Sequence, residues 1–479
     1  MNADSSRLAA EICVNLRPLV LLVNPWIHDF AAYDLWAEPL GLLSIGAVLR
    51  EQGYRVHLLD CLDRWHPALL ARQGRTEPKG TAYGTGKWPK EVLPTPAPLA
   101  HVLRRYGRYG LPPDLVAADL ARLPRPLAVL VTSGMTYWYP GVAEAIQTIR
   151  ARYPGVPIAL GGIYATLCPD HAATLGADVV LPGEGELAAL RWVDRIAGRV
   201  SDRWRDRYRT LDDLPTPAHD LRTSTRAIGV LTARGCPYRC PYCATGRLST
   251  GFRQRDPRRV ADEIAFWAGQ GATDIAFFDD ALLVNSDQHL RVILAEVIGR
   301  RISVRFHTPN GLHADLLDES LARLMRRAGC ATIRLSRETA DEAQQRATGG
   351  KVTRAGFERA VDALWAAGFT ARQVGAYVLA GRPGQSTDEV RESVAYVHAR
   401  GVPVHLAFYS PIPGTPDYDR AVADIARVGG TGGALPPNAD PLLHNPPGWR
   451  IGLEELRRIQ AQAQAGNERL LGREKRDHE

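Results

Sequence analysis

At 479 residues, 45% hydrophobic and 23% charged, the chain is long enough for two or more domains, each with its own core. No apolar run approaches the roughly 18 residues of a membrane span, and MNADSSRLAAEICVNLRPLV lacks the basic start and long apolar stretch of a secretory leader. A cytoplasmic protein without a membrane span is expected. The net charge of +7, from 59 basic and 52 acidic residues, permits an anionic partner without demanding one, and seven cysteines, three of them clustered, argue against a disulfide framework.

LVLLVNP (19–25) reads as a buried parallel strand, PLGLLSIGAVLREQGY (39–54) as a helix with a glycine stop, and RVHLLDCLD (55–63) as the next strand. Residues 64–113, with eight prolines, six glycines and nine Lys/Arg against two Asp/Glu, break that rhythm and predict a loop-rich insertion. Alternation resumes with LAVLVTS (127–133), GVAEAIQTIRARYP (141–154), VPIALGG (156–162), the short helix HAATLG and ADVVLPGEGE (177–186). This spacing predicts an α/β fold, a doubly wound (Rossmann-like) parallel sheet over 18–189, with its ligand at the strand C-termini. Residues 190–226 read as a connector.

A second series follows. AIGVLTARGC (227–236), TDIAFFDD (273–280), SVRFHTP (303–309), ATIRLSRE (331–338), RQVGAYVLAG (372–381) and VPVHLAFYSP (402–411) are strands separated by helices such as DPRRVADEIAFWAGQG. Six β/α units over 227–415 predict a partial (β/α)6 barrel with its chemistry at the strand C-termini. The final segment, 416–479, holds a Gly/Pro-rich stretch, GGTGGALPPNADPLLHNPPG, and ends in a polar helix, GLEELRRIQAQAQAGNERLLGREK.

RGCPYRCPYC (234–243) follows the first strand of that series and sets Cys236, Cys240 and Cys243 in a Cys-x3-Cys-x2-Cys pattern. Structural zinc takes four ligands, and the nearest other cysteines are Cys168 and Cys330. A ferredoxin-type run needs a fourth cysteine in register, and there is none. Three thiolates suit an iron–sulfur cubane with one iron open to a non-protein ligand, which is favoured over zinc and over three unliganded thiols.

That spacing, Tyr242 before the last cysteine and the six β/α units resemble the radical S-adenosylmethionine (SAM) superfamily. The resemblance implies a catalytic [4Fe-4S] cluster on Cys236, Cys240 and Cys243. Its open iron would chelate SAM, and its electron would release a 5′-deoxyadenosyl radical. FFDD (277–280) resembles the F-x-D-D turn of these enzymes, and RLSRETADE (334–342) resembles their G-x-E-S turn, with Ser336 where glycine is usual. AGRPGQS (380–386) resembles their G-x-P-G-E loop with Gln385 replacing the acid, and PIPGTP (411–416) a proline-rich loop frequent in one subgroup. SAM contacts from Tyr242, Asp279, Asp280, Ser336, Glu338 and Gly381 are implied.

LGGIYATLCPDHAATLGADVVLPGEGE (160–186) resembles the cobalamin-binding domain that precedes the barrel in B12-dependent radical SAM enzymes. Cobalamin contacts from Trp26, Ser133, Gly161, Gly162 and Tyr164 are implied. NPWIHDFA (24–31) lacks the Asp-x-His-x-x-Gly whose histidine ligates cobalt in many such domains, and His28, off register, is expected to be a satisfied polar group. Trp26 under the corrin would leave cobalt without a protein base, which favours methyl transfer. The implied activity is methylation of an unactivated carbon through the 5′-deoxyadenosyl radical and methylcobalamin. The implied partners are an unknown small-molecule or peptide substrate and an electron donor such as flavodoxin or ferredoxin. The alternative is a cyclisation, rearrangement or oxidation using cobalamin without methyl transfer. ATGGKVT (347–353) is not a phosphate-binding loop, because valine follows the lysine and the earlier glycine is missing. No aromatic–basic array points to nucleic acid.

Overall fold

The computed structural model describes residues 17–99, 104–199, 204–427 and 453–476, which belong to two compact units divided after Thr225. The first unit contains β1 (Leu19–Asn24), β2 (Ile27–Asp29), β3 (Arg55–Asp60), β4 (Lys90–Val92), β5 (Gly107–Tyr109), β6 (Ala128–Val131), β7 (Ile158–Gly161) and β8 (Val179–Leu181). Five of these form a parallel sheet in the order β3-β1-β6-β7-β8. Every β1 residue is buried, because successive side chains enter different cores. Leu21 and Val23 pack with the helices Pro113–Arg122 and Tyr139–Arg152, while Val20 and Leu22 pack with Leu40–Glu51 and Gly185–Ile196. The strand order reverses direction between β1 and β6, which opens a crevice at their C-terminal ends.

Two stretches differ from expectation. The insertion 64–113 is not simply loop: β4 and β5 join β2 in an antiparallel sheet of order β2-β5-β4. Three-residue strands are too short to show alternation among prolines. Arg64, only 4% exposed, organises the turns around it by donating to Asp34 Oδ2 (2.7 Å), Gly84 O (2.8 Å) and Lys79 O (2.7 Å). The connector 190–226 is packed rather than slack. Its first residues complete the helix ending at Ile196, and Trp204 and Tyr208 are buried in the first unit's core. Ala218 N donates to Leu43 O (3.1 Å). The apolar anchors were hidden in an Arg/Asp-rich run.

The second unit contains β9 (Ala227–Val230), β10 (Ala233–Arg234), β11 (Arg253–Gln254), β12 (Asp274–Phe277), β13 (Arg305–His313), β14 (Cys330–Glu338), β15 (Val374–Ala380) and β16 (Val404–Phe408). Six strands form a parallel sheet in sequential order, β9-β12-β13-β14-β15-β16, while β10 and β11 pair antiparallel. On one face Ile228, Ile275, Phe306, Ile333, Leu335, Val374, Ala376 and Val404 share a single core with the connecting helices. The alternate positions look away from the helices and include the polar Asp274, His307, Thr332, Arg334, Ser336, Tyr377 and His405.

The polar C-terminal segment forms the helix Leu453–Arg476, which buries Leu456, Ile459 and Ala463. Asn467 accepts from Val404 N and donates to Val404 O, both at 2.8 Å, so one side-chain amide gives the edge strand β16 the pairing of a further strand. The Gly/Pro-rich stretch before it lies outside the described residues.

Candidate active site

The loop between β10 and β11 carries Cys236, Cys240 and Cys243. Cys243 N donates to Cys240 O (3.0 Å), and Cys243 Sγ lies 3.2 Å from Thr245 Oγ1. Burial pushes the Cys236 thiol up to about 11 and raises Cys240 as well; the other thiols add to both shifts, so the sulfurs surround one volume. Loading iron here displaces thiol protons. Among the described residues no three His, Cys, Asp or Glu side chains converge closely enough for a single metal ion.

The end of β14 walls this volume. Glu338, 6% exposed, adopts φ +60°, a left-handed conformation that costs a non-glycine residue roughly 1–3 kcal/mol and is kept where the surroundings impose it. Its carboxylate pairs with Lys351 Nζ, the glutamate side chain buried and the lysine 12% exposed. Burial opposes the Lys351 charge, but the adjacent carboxylate outweighs it and raises the lysine. Glu338 Oε2 has no hydrogen-bond partner. Neither has the buried Tyr242 hydroxyl, which lies near Glu338 and Cys240 without well-formed geometry to either. The Tyr242 ring sits 5.8 Å from Lys351 Nζ and 5.2 Å from the Arg382 guanidinium. Burial, reinforced by Glu338, holds its phenol protonated.

Two residues that the sequence does not single out meet here. Gly349 lies against Cys240, where a Cβ would stand 3.2 Å from the sulfur, and Lys351 follows two residues later. As a motif, Gly-Gly-Lys suggests only a phosphate loop; its position a dozen residues beyond Glu338 was the available signal. His313, 2% exposed, stacks on Tyr238 of the cysteine loop at 4.7 Å and 16°, and burial drives its pKa to about 3.

The expected SAM residues divide. Asp279, 3% exposed, accepts from Thr232 N (3.1 Å) and Thr232 Oγ1 (2.7 Å) on one oxygen and from Thr232 N (3.2 Å) on the other. Its carboxylate ties β12 to the turn after β9. Burial pushes it up to about 6. Asp280 is an exposed residue whose carboxyl is nonetheless pushed up to about 6 by desolvation, against the Thr245 hydroxyl, and its charge raises Cys236. Ser336 stands where glycine is usual because Gly311 of β13 leaves room for its hydroxyl; a Cβ on Gly311 would collide with it. Gln385 accepts from Gly381 N (2.8 Å) and Arg382 N (3.2 Å) and donates to Leu379 O (3.1 Å). An ionised acid could not make that last bond. Arg382 pairs with buried Asp417 (2.7 Å), and Asp417 N donates to Pro241 O (3.0 Å), which ties the loop after β16 to the cysteine loop.

The crevice of the first unit is built differently. Ser133 Oγ donates to Gly161 O (2.6 Å) and accepts from Ala165 N (3.1 Å). Ile163 N donates to Ser133 O (2.9 Å) and Tyr164 N to Gly134 O (3.1 Å), lacing the β6 and β7 loops together. Gly162, at φ +93°, permits this, because a Cβ there would run into the Ser133 backbone. Trp26 and Tyr164, of which cobalamin contacts are expected, lie in the core at 1% and 0% exposure. The Trp26 ring donates to Leu111 O (2.7 Å), and Tyr164 bonds His171 and stacks on Tyr139. Ser133 is likewise used up internally. Met135 and Ile163 emerge instead, 47% and 42% exposed. His28 is satisfied by Glu144 (2.6 Å).

Residues 230–397 match the radical SAM superfamily. The chain carries that match within its second unit. It is 23% identical over 350 residues to an uncharacterized methyltransferase of Pyrococcus horikoshii, covering 66% of this chain and 74% of that one. It is 24% identical over 378 residues to the cytidylyl-2-hydroxyethylphosphonate methyltransferase of Streptomyces wedmorensis, covering 67% and 65%. The solved radical SAM methyltransferase TsrM from Kitasatospora setae, with cobalamin and a [4Fe-4S] cluster bound, has a TM-score of 0.63 at 20% identity over 87% of this chain and 79% of TsrM. At 20% identity this likeness shows a shared fold. No helix among the described residues of this chain is long and apolar enough to cross a membrane.

Proposed function

We propose that this chain is a cobalamin-dependent radical SAM C-methyltransferase of a small-molecule substrate, with a Rossmann-like corrin-binding unit and a partial-barrel catalytic unit. The observation that carries the reading is the buried wall beside Cys240. There Glu338 keeps one oxygen on Lys351 and the other unpartnered, next to the unpartnered Tyr242 hydroxyl. Buried polar atoms without partners are rare and mark a missing ligand. A zwitterion with amino, carboxylate and hydroxyl groups, such as SAM, supplies the complementary donors and acceptors.

Cys236, Cys240 and Cys243 would hold the cluster, and Asp280 would face it. Asp279 and the Arg382–Asp417 pair position the loop that presents the thiols. In the first unit the exposed Met135 and Ile163 follow β6 and β7, where backbone polar groups are already bonded to one another, and β6 borders the reversal of strand order. Such an apolar ledge suits the broad face of a corrin. When bound, cluster and SAM supply carbon-radical chemistry and cobalamin supplies the methyl group; the chain supplies placement and the exclusion of water. An electron donor such as flavodoxin or ferredoxin, and a cytoplasmic setting, belong to the same reading.

The test is metal analysis and absorption spectroscopy on anaerobically purified protein reconstituted with iron and sulfide, with and without hydroxocobalamin. About four irons and a retained corrin are expected for a [4Fe-4S] enzyme of this kind, and Cys240→Ala should lose the iron while keeping the corrin. Four irons without corrin would leave a radical SAM protein and remove cobalamin-based methylation. Zinc alone would remove both.

A further inference from the structure

We infer that the sheet face of the second unit that looks away from its helices holds an oxyanion of the substrate, a carboxylate or phosphate, through the guanidinium of Arg334 with Tyr377 and His405 beside it. This deepens the methyltransferase reading by assigning the substrate's charge.

The charges along that face balance everywhere else. Asp274, at the start of β12, accepts from Arg305 Nε (2.7 Å) and His307 Nε2 (2.9 Å) on one oxygen and from Arg305 (2.6 Å) on the other. Glu338, beyond the far end, is paired with Lys351. Asp279 is satisfied by Thr232. Burial lowers His307 and pushes His405 down to about 4, so both imidazoles are neutral. Arg334 is left. Its hydrogen bonds run to two backbone carbonyls, Ile333 O at 3.1 Å and Gln373 O at 3.5 Å, and among the described residues it makes no ion pair with a carboxylate.

A half-buried guanidinium without a counter-charge is unfavourable until an anion joins it, and its planar fork matches a two-oxygen acceptor. The neighbours suit such a guest. Tyr377 is fixed by donation to Pro309 O (2.8 Å), and its ring centre lies 5.9 Å from that of His405, so an aromatic wall and a neutral ring N–H flank the cation. Ser336 and then Glu338 follow Arg334 along β14. At about 3.3 Å per residue, Arg334 lies roughly 13 Å along the strand from Glu338. A substrate anchored by its anion at Arg334 can therefore extend toward the cysteine end.

Arginine labelling with phenylglyoxal tests this on the reconstituted full chain, read by mass spectrometry of the peptide containing residue 334. The probes are benzoate, inorganic phosphate and the uncharged benzamide. Arg334 should be modified in buffer alone and protected at least fivefold by millimolar benzoate or phosphate. Whichever protects identifies the oxyanion, and benzamide should not protect. Failure of Arg334 to react while exposed arginines do would overturn the assignment. So would labelling that neither anion slows, or equal protection by benzamide. Iron and corrin measured on the same samples judge the cofactor reading separately: their loss with anion protection intact would remove the methyltransferase and leave the anion site.

Discussion

The β6 and β7 loop ends of the first unit and the β14 end of the second are both strand C-termini facing a proposed ligand, yet they are chemically opposite. In the first, Ser133, Gly134 and Ile163 satisfy one another and what projects is apolar, Met135 and Ile163. In the second, charged groups are driven inward, one of them into a left-handed backbone, and two polar atoms stay unpartnered. The difference teaches that the state of the polar groups tells a ligand's character better than the glycines around it. A settled polar scaffold offers its guest an apolar contact area, whereas an unsettled one waits for specific donors and acceptors.

The largest effect should come from unbalancing the buried pair. Lys351→Met leaves Glu338 charged and alone, and removing one partner of a buried pair costs about 3–5 kcal/mol. The double variant Glu338→Gln/Lys351→Met should recover most of that in urea unfolding of the reconstituted protein. A Lys351→Met protein as stable as wild type would mean the pair is not closed off from water, and the contrast between the two units would lose its basis.

Next comes a pH effect from Asp279. Its folded pKa, about 6, is raised above the unfolded value near 3.8. The folded state therefore holds the proton more tightly, and this contribution is present below pH 4 and lost as pH rises through 6. A rise of that size corresponds to about 3 kcal/mol. Asp279→Asn cannot ionise, so the gap in stability between wild type and variant should shift by about that amount between pH 4 and 7. A gap independent of pH would mean water reaches Asp279.

How much of this was legible in the sequence follows from length scales. The six strands of the second unit's parallel sheet run four to nine residues and are separated by whole helices, long enough for their period to stand out. Cys236, Cys240 and Cys243 share eight positions and one loop, so their proximity was fixed by the chain itself. Lys351, Gly349 and His313 reach the same place through tertiary packing, with nothing local to mark them. β4 and β5 were too short, and Arg64, which organises their neighbourhood, looks on paper like any surface arginine. Trp26 shows a related limit: position after a strand says which end of the sheet a residue occupies, not whether its side chain turns inward.

The smallest effects separate ledge from core in the first unit. Met135→Ser and Ile163→Ser change exposed side chains, so unfolding stability should stay within about 0.5 kcal/mol of wild type. Corrin retention after desalting should weaken roughly tenfold, about 1.4 kcal/mol. Trp26→Phe removes the ring N–H that serves Leu111 O and strands that carbonyl, which costs about 1 kcal/mol or somewhat more. It should leave corrin retention unchanged, because a residue 1% exposed has no surface to offer a ligand. The reverse pattern, corrin lost with Trp26→Phe and kept with both serines, would place the cofactor against the core tryptophan after a rearrangement of the loop Gly110–Leu111 over it, and would make the apolar ledge a surface for something else.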